Sequence, residues 1–306
     1  MLTRGSLICV VALTVLLGCG PVLGGGAGSD SAGNQQDEPA TPGPPLFAAL
    51  GPGLGGNGAA VIILDAEGRE LQRIPTENED APWEEWSLSW YPDTGTFLVS
   101  ENSSVLKAID ASTGEVREYG DGSVGLGGVA RTAGLPDGGA LIAHWSELHQ
   151  TNASEEIVQT WAEEAGGDSW QDALAHQDEG TVLLKNGLEV RRFDDDERVG
   201  LFPEFVDSIG QDAGGGIWGA DTFGGPIMVL EPEGGPLVLG EPADFGLGRR
   251  ALAFEPSGED TVWVLTSDGA AGGSSVSVIS RRGAVTEVFE TDEWWLDLAL
   301  VPELEL

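Results

Sequence analysis

Carboxylates and aromatic rings recur side by side in this chain. Trp83-Glu84-Glu85-Trp86, Asp168-Ser169-Trp170, Phe202-Pro203-Glu204-Phe205 and Asp292-Glu293-Trp294-Trp295 each set acids next to rings. Such pairs suit sugars, or cations held over a ring face. The spacing of short apolar segments brings one set of these residues into common positions: Glu85, Trp86, Arg131, Asp207, Arg249, Trp295 and Asp297, the expected ligand-binding residues. Glu85, Asp207, Asp221 and Asp297 are also the candidate ligands for a divalent ion. Calcium takes oxygen donors of this kind, and would polarise a carbonyl and activate water. Arg131 and Arg249 fall in the same positions and oppose a cation there. No nucleophile elbow, phosphate loop or catalytic Cys-His pair is present in the sequence, so no catalytic residue is assigned.

The elements that must position these residues repeat along the chain. Trp86 to Trp90 leads to a Pro92–Gly95 turn and then Thr96 to Ser100; Arg250 to Phe254 leads to a Pro256–Gly258 turn and then Thr261 to Leu265. The same phrase recurs at Pro136, Asp178, Asp212 and, in degenerate form, Pro302, so the turn anchors stand 34 to 46 residues apart. That is the period of a propeller blade. Each interval holds two further strands about a glycine-containing turn, as in Val105–Ile109 and Glu115–Tyr119. Ser154 to Ala165 would suit a short helix or a strand, and register favours a strand at Ile157–Trp161. Ala60–Leu64 and Leu71–Ile74 read as the outer strands of a blade without an inner one, and Trp295–Leu300 as an inner strand without outer ones. Pairing them closes a ring of six blades and hides both edges. The expected fold is therefore an all-β, six-bladed propeller over residues 46–306.

Aligning the six inner strands on their anchors sorts side chains by parity. Three before the anchor stand Ser89, Ala133, Ala175, Ile209, Ala253 and Ala299; five before stand Ser87, Arg131, Ala173, Asp207, Ala251 and Asp297; seven before stand Glu85, Val129, Gln171, Phe205, Arg249 and Trp295. These columns are expected to line a central channel, narrow at the alanines and wide at the charged end. Turns after the second strands bring Glu101, His144, Asp221 and Asp268 to the wide end. His176 falls at the opposite end from His144, which argues against a three-histidine metal site. Asp194–Glu197 reads as a solvated hairpin turn. The turn phrase, Pro or Asp followed by Gly, is similar to those of bacterial NHL-like, YVTN-like and gluconolactonase-like propellers over residues 46–306. The resemblance implies a fold and a class of role. In the gluconolactonase style it implies a calcium-dependent hydrolase or lactonase as the alternative to a binding protein.

The N-terminus carries an address. Arg4 precedes an apolar run, Leu7–Leu17, too short to span a bilayer. It ends in Leu16-Leu17-Gly18-Cys19, which resembles the lipobox of bacterial lipoproteins. The resemblance implies a signal peptide over 1–18, removal of Cys9 with it, a lipid on Cys19 that anchors the chain to a membrane, and, with Gly20 in place of an aspartate, the outer membrane. Residues 19–45 are rich in Gly, Pro and Ser and read as a flexible linker.

The 51 acidic residues against 14 basic ones give a net charge of −37, which repels phosphate backbones and excludes nucleic acid as a partner. With 41% hydrophobic residues and ten tryptophans the chain has material for a core. The expected role is a monomeric, lipid-anchored binding or scaffold domain of the cell envelope that recognises a protein or glycan. Labelled palmitate is expected on the wild-type protein and absent from Cys19→Ala; a wild type without lipid would remove the anchor.

Overall fold

β-branched and apolar segments separated by glycine turns form strands throughout the residues that the computed structural model describes: 46–53, 58–76, 87–100, 106–122, 131–135, 137–144, 147–162, 169–176, 180–232, 234–268 and 272–301. The signal, Cys19 and the 19–45 linker lie outside them. The first three strands are β1 (Phe47–Pro52), β2 (Ala59–Leu64) and β3 (Glu70–Pro75). Blade I is β4 (Ser87–Tyr91), β5 (Thr96–Ser100), β6 (Leu106–Asp110) and β7 (Val116–Glu118). Blade II is β8 (Arg131–Gly134), β9 (Ala140–His144), β10 (Glu147–Thr151) and β11 (Ile157–Ala162), the last being the strand that register favoured. Blade III is β12 (Trp170–His176), β13 (Gly180–Lys185), β14 (Glu189–Arg192) and β15 (Arg198–Leu201). Blade IV is β16 (Ser208–Gln211), β17 (Ile217–Ala220), β18 (Ile227–Leu230) and β19 (Pro236–Gly240). Blade V is β20 (Arg250–Gly258), β21 (Thr261–Ser267), β22 (Ser274–Ser280) and β23 (Val285–Thr291). β24 (Asp297–Leu300) ends the described chain.

Each blade is a four-stranded antiparallel meander, and the sixth is β24-β1-β2-β3. The closure differs from the sequence reading in one strand. The N-terminal part supplies three strands, and β24 pairs with β1, Ala49 opposite Leu298 and Leu50 opposite Asp297, instead of directly with Ala60–Leu64. Phe47–Pro52 escaped notice because Phe-Ala-Ala-Leu shows no alternation. Both of its faces are buried, so nothing selects for polar residues at every second position.

The inner strands β4, β8, β12, β16, β20 and β24 contact one another around a ring. Apolar side chains collect in six wedges, one at each blade interface. Leu98 and Tyr119 meet Ala140 and Ile142 between blades I and II. Val182 and Val206 meet Ile209 and Met228 between III and IV. Trp218 and Val229 meet Phe254 and Val264 between IV and V. The other three interfaces, II–III, V with the closing blade, and the closing blade with I, are built alike.

The anchor Asp212 shows why an aspartate serves in the turn phrase. Its Oδ1 accepts from the Gly214 and Gly216 amides at 3.0 and 2.9 Å, and its Oδ2 from Trp218 Nε1 at 2.8 Å. Arg281 of blade V grips both oxygens, at 2.6 and 2.7 Å. A second clasp joins Arg117 of blade I to Glu155 of blade II, at 2.6 and 2.5 Å. Bidentate guanidinium–carboxylate geometry fixes orientation as well as distance.

Deleting Trp294 onward is expected to open the ring. Trp295, Leu298 and Val301 are each at most 3% exposed, and burying a large side chain contributes about 1.5–3 kcal/mol. Thermal denaturation of the truncated chain should fall by more than ~10 °C or give way to aggregation, while deletion of Gly24–Pro44 leaves the midpoint in place. A truncation as stable as the whole chain would mean that the β24–β1 pair is dispensable.

Candidate functional site

The six inner strands enclose a cavity of about 280 Å³. The column three before the anchors lies entirely on its wall: Ser89, Ala133, Ala175, Ile209, Ala253 and Ala299. Of the column five before, Arg131, Ala173 and Asp297 reach the wall, and Ser87, Asp207 and Ala251 do not. Small residues are needed where six strands converge, since larger ones would fill the channel.

The charged centre is the pair Arg131–Asp297. The guanidinium donates to Asp297 Oδ2 at 2.6 Å, reaching from β8 past β4 to β24. The same oxygen accepts the Leu88 amide of β4 at 2.8 Å, and Oδ1 accepts the Leu298 amide at 2.9 Å. One carboxylate thereby fastens three consecutive blades. Asp172 repeats the device across the ring, accepting the Ala173 amide at 2.8 Å and the Ile209 amide of β16 at 2.8 Å. Burial pushes the Asp172 carboxyl up to about 7 although Arg131 draws it down. Burial also raises Asp297 above the usual carboxylate range, Arg131 and the two amides only partly opposing it.

The other expected site residues are dispersed. Asp207 precedes β16 and binds Thr222 twice, accepting the amide and the hydroxyl at 2.7 Å each; desolvation raises its carboxyl. Asp221 accepts the Phe223 amide within its own turn at 2.9 Å. Arg249 presents an exposed side chain, while its amide donates to Asp268 Oδ1 at 3.0 Å. Trp295 is a correction to the sequence reading. It is 3% exposed and packs edge-on to Phe289 with centroids 6.1 Å apart, so it is a wedge of the closing interface and not a platform for a ligand. Glu85 and Trp86 lie outside the described residues.

Among the described residues no group of three or more His, Cys, Asp or Glu side chains converges as a metal site. The histidines divide as their sequence positions imply. His144 pairs with Glu147 across the β9–β10 turn. His176 stands at the β12–β13 turn, its Nε2 3.1 Å from the Gly215 carbonyl oxygen. Asp195 and Glu197 are ion-paired to Arg192 in an exposed hairpin turn, at 2.9 and 3.0 Å.

Two features of the channel were missed from sequence. Asp172 was passed over because the pairing of β12 with β13 shifts register between Trp170 and Asp172, a bulge that anchor counting does not register. The other is the position one before the anchor. It has the same parity as the channel columns and places Tyr91, Gln211 and Glu255 on the cavity wall, at the end away from the expected mouth. Extending the alignment by one step of two would have found them.

Neither a protein-family profile nor a curated protein matches the sequence. Among solved structures, a protein of unknown function from Bacteroides caccae superposes with a TM-score of 0.60 at 16% identity, covering 85% of this chain and 100% of that one. A streptogramin B lyase gives 0.55 at 14% identity over 85% and 94%. Virginiamycin B lyase from Staphylococcus aureus gives 0.53 at 13% over 80% and 83%. The likeness is one of fold.

Arg131→Met leaves Asp297 buried without its counter-charge. Breaking such a pair from one side costs about 3–5 kcal/mol, and urea denaturation at pH 8 should show it. The folded-state pKa of Asp297 lies above its unfolded value, so the folded chain holds this proton more tightly and stability falls as pH rises. The deficit should therefore shrink in acid as Asp297 is protonated. A deficit independent of pH would place the loss in packing instead.

Proposed function

We propose that this chain is a lipid-anchored propeller of the cell envelope that binds a protein or glycan on the face where the inner strands begin. The observation that carries the reading is a solvent-facing aromatic on that face. Phe223 is 67% exposed, with the Arg250 guanidinium 5.9 Å from its ring centre. Phe205 is 44% exposed nearby in sequence to the Asp207–Thr222 clasp, and Arg249 is free of any ion pair among the described residues. An exposed ring beside guanidinium and carboxylate groups offers stacking together with both signs of hydrogen-bonding charge, the composition of a recognition surface. The Leu16–Cys19 lipobox supports the anchor, and the acidic surface supports the exclusion of nucleic acid.

The hydrolase or lactonase reading needs carboxylates released to hold an ion. Here Asp297 is taken up by Arg131, Asp207 by Thr222, and Asp221 by its own turn. The solved lyases support the propeller alone at their level of identity.

The immobilised protein should retain a defined envelope component, identified by mass spectrometry. Phe223→Ala with Arg250→Ala should weaken that retention about tenfold or more with the melting temperature unchanged, because Phe223 is exposed. Retention equal to wild type would exclude this face.

A further inference from the structure

We propose that the end of the channel opposite the expected mouth is a site for a small organic ammonium ion, held by Glu255 beside the Tyr91 ring. Glu255 lies on β20, its backbone paired with Trp263, and lines the cavity together with Trp90, Tyr91, Phe254, Pro256 and Leu300. It is the one carboxylate of the cavity wall that neither Arg131 nor a pair of backbone amides takes up. Asp297 and Asp172 are held in that way, whereas among the described residues Glu255 takes a hydrogen bond from the Leu300 amide alone. It forms no ion pair among the described residues.

The environment makes Glu255, once ionised, an attractor for a cation. Burial pushes its carboxyl up to about 8, and the negative charge of Asp297 on the neighbouring inner strand adds to the rise. Three acids face one arginine within the cavity, a net charge of −2 when all are ionised, and a bound monocation halves that excess. The wall also retains unused hydrogen-bonding capacity. The Trp90 indole N–H makes no hydrogen bond, and the Tyr91 and Thr132 hydroxyls lie near each other without one of good geometry.

The chemistry of the wall selects among cations. A divalent metal requires several hard oxygen ligands at short range, and no such group converges among the described residues. The Tyr91 phenol ring with Pro256 instead stabilises a cation of low charge density through its ring face and apolar contact. A primary or quaternary alkylammonium of few heavy atoms satisfies one carboxylate, fits about 280 Å³, and is drawn inward by the acidic surface. Binding removes the Glu255 proton to solvent. The site is distinct from the Phe223 face and does not depend on what that face binds.

The test is calorimetric titration of the full-length protein with tetramethylammonium chloride and with butylammonium chloride, against sodium chloride at equal ionic strength. Saturable binding of one cation per chain is expected, tightening about a hundredfold between pH 6 and pH 9 as the carboxyl ionises. Near pH 7, buffers of different ionisation enthalpy should report a proton released per cation. Glu255→Gln is expected to lose binding by about tenfold or more and to keep its melting temperature. Glu255→Asp, which retains the charge on a shorter arm, should bind more weakly while keeping the pH dependence. Equal affinity in Glu255→Gln, displacement of the ammonium by millimolar magnesium or calcium, or no saturation at pH 9 would each overturn the proposal.

Discussion

Everything in this structure depends on each sheet having two buried faces. A propeller blade cannot be packed by one neighbour alone, because its apolar side chains project to both sides and must meet a wedge on each. The six clusters at the six interfaces are the physical form of that requirement. Apolar burial is distributed around a ring and not concentrated at a centre, so the middle of the molecule is a cavity instead of a core. Residues that elsewhere would be surface features become interior ones, and a charge placed on an inner strand is judged by the rules for buried groups.

Those rules explain the arrangement of the channel. A carboxylate removed from water must be met by hydrogen bonds or an opposite charge, or remain protonated. Asp297 follows the first course, collecting Arg131 and two amides. Asp172 has amides and only a distant share of Arg131, and its proton is held to about 7. Glu255 has the least compensation, and burial together with the charge of Asp297 holds its proton to about 8. Mutual bonding at the Arg131 end also determines what that end can do. A carboxylate already engaged with a guanidinium and two amides holds three blades in place and is poorly disposed to act as a base.

Much of this was legible in the sequence, for definite reasons. A turn that requires Pro or Asp followed by Gly leaves a mark at each blade, and of the three columns that strand parity assigns to the channel, the one three before the anchors reaches the wall in all six strands and the one five before in three. β1 and Asp172 were hidden by a break in alternation. β1 is buried on both faces and lacks the polar punctuation that identifies a strand. The bulge in β12 displaces Asp172 by a residue without changing composition. Trp295 was misplaced because tryptophan beside glutamate reads equally well as a binding surface or as a wedge, and only its burial between Phe289 and the closing blade decides. Asp207 and Asp221 do not reach the cavity wall, and their hydroxyl and amide partners are local choices that a column of residue types does not encode.

The closing blade joins residues from the two ends of the domain, Leu50 against Asp297, across most of the polypeptide. Translation delivers the chain from its N-terminus, so β1, β2 and β3 emerge first and stand with one edge open while five further blades are made. A strand edge that waits is a template for the wrong partner, whether a neighbouring chain or another blade of its own. The last strand is therefore also a timing device: until about the final ten residues arrive, the ring has no reason to be circular, and its fidelity rests on how briefly that edge is left unattended.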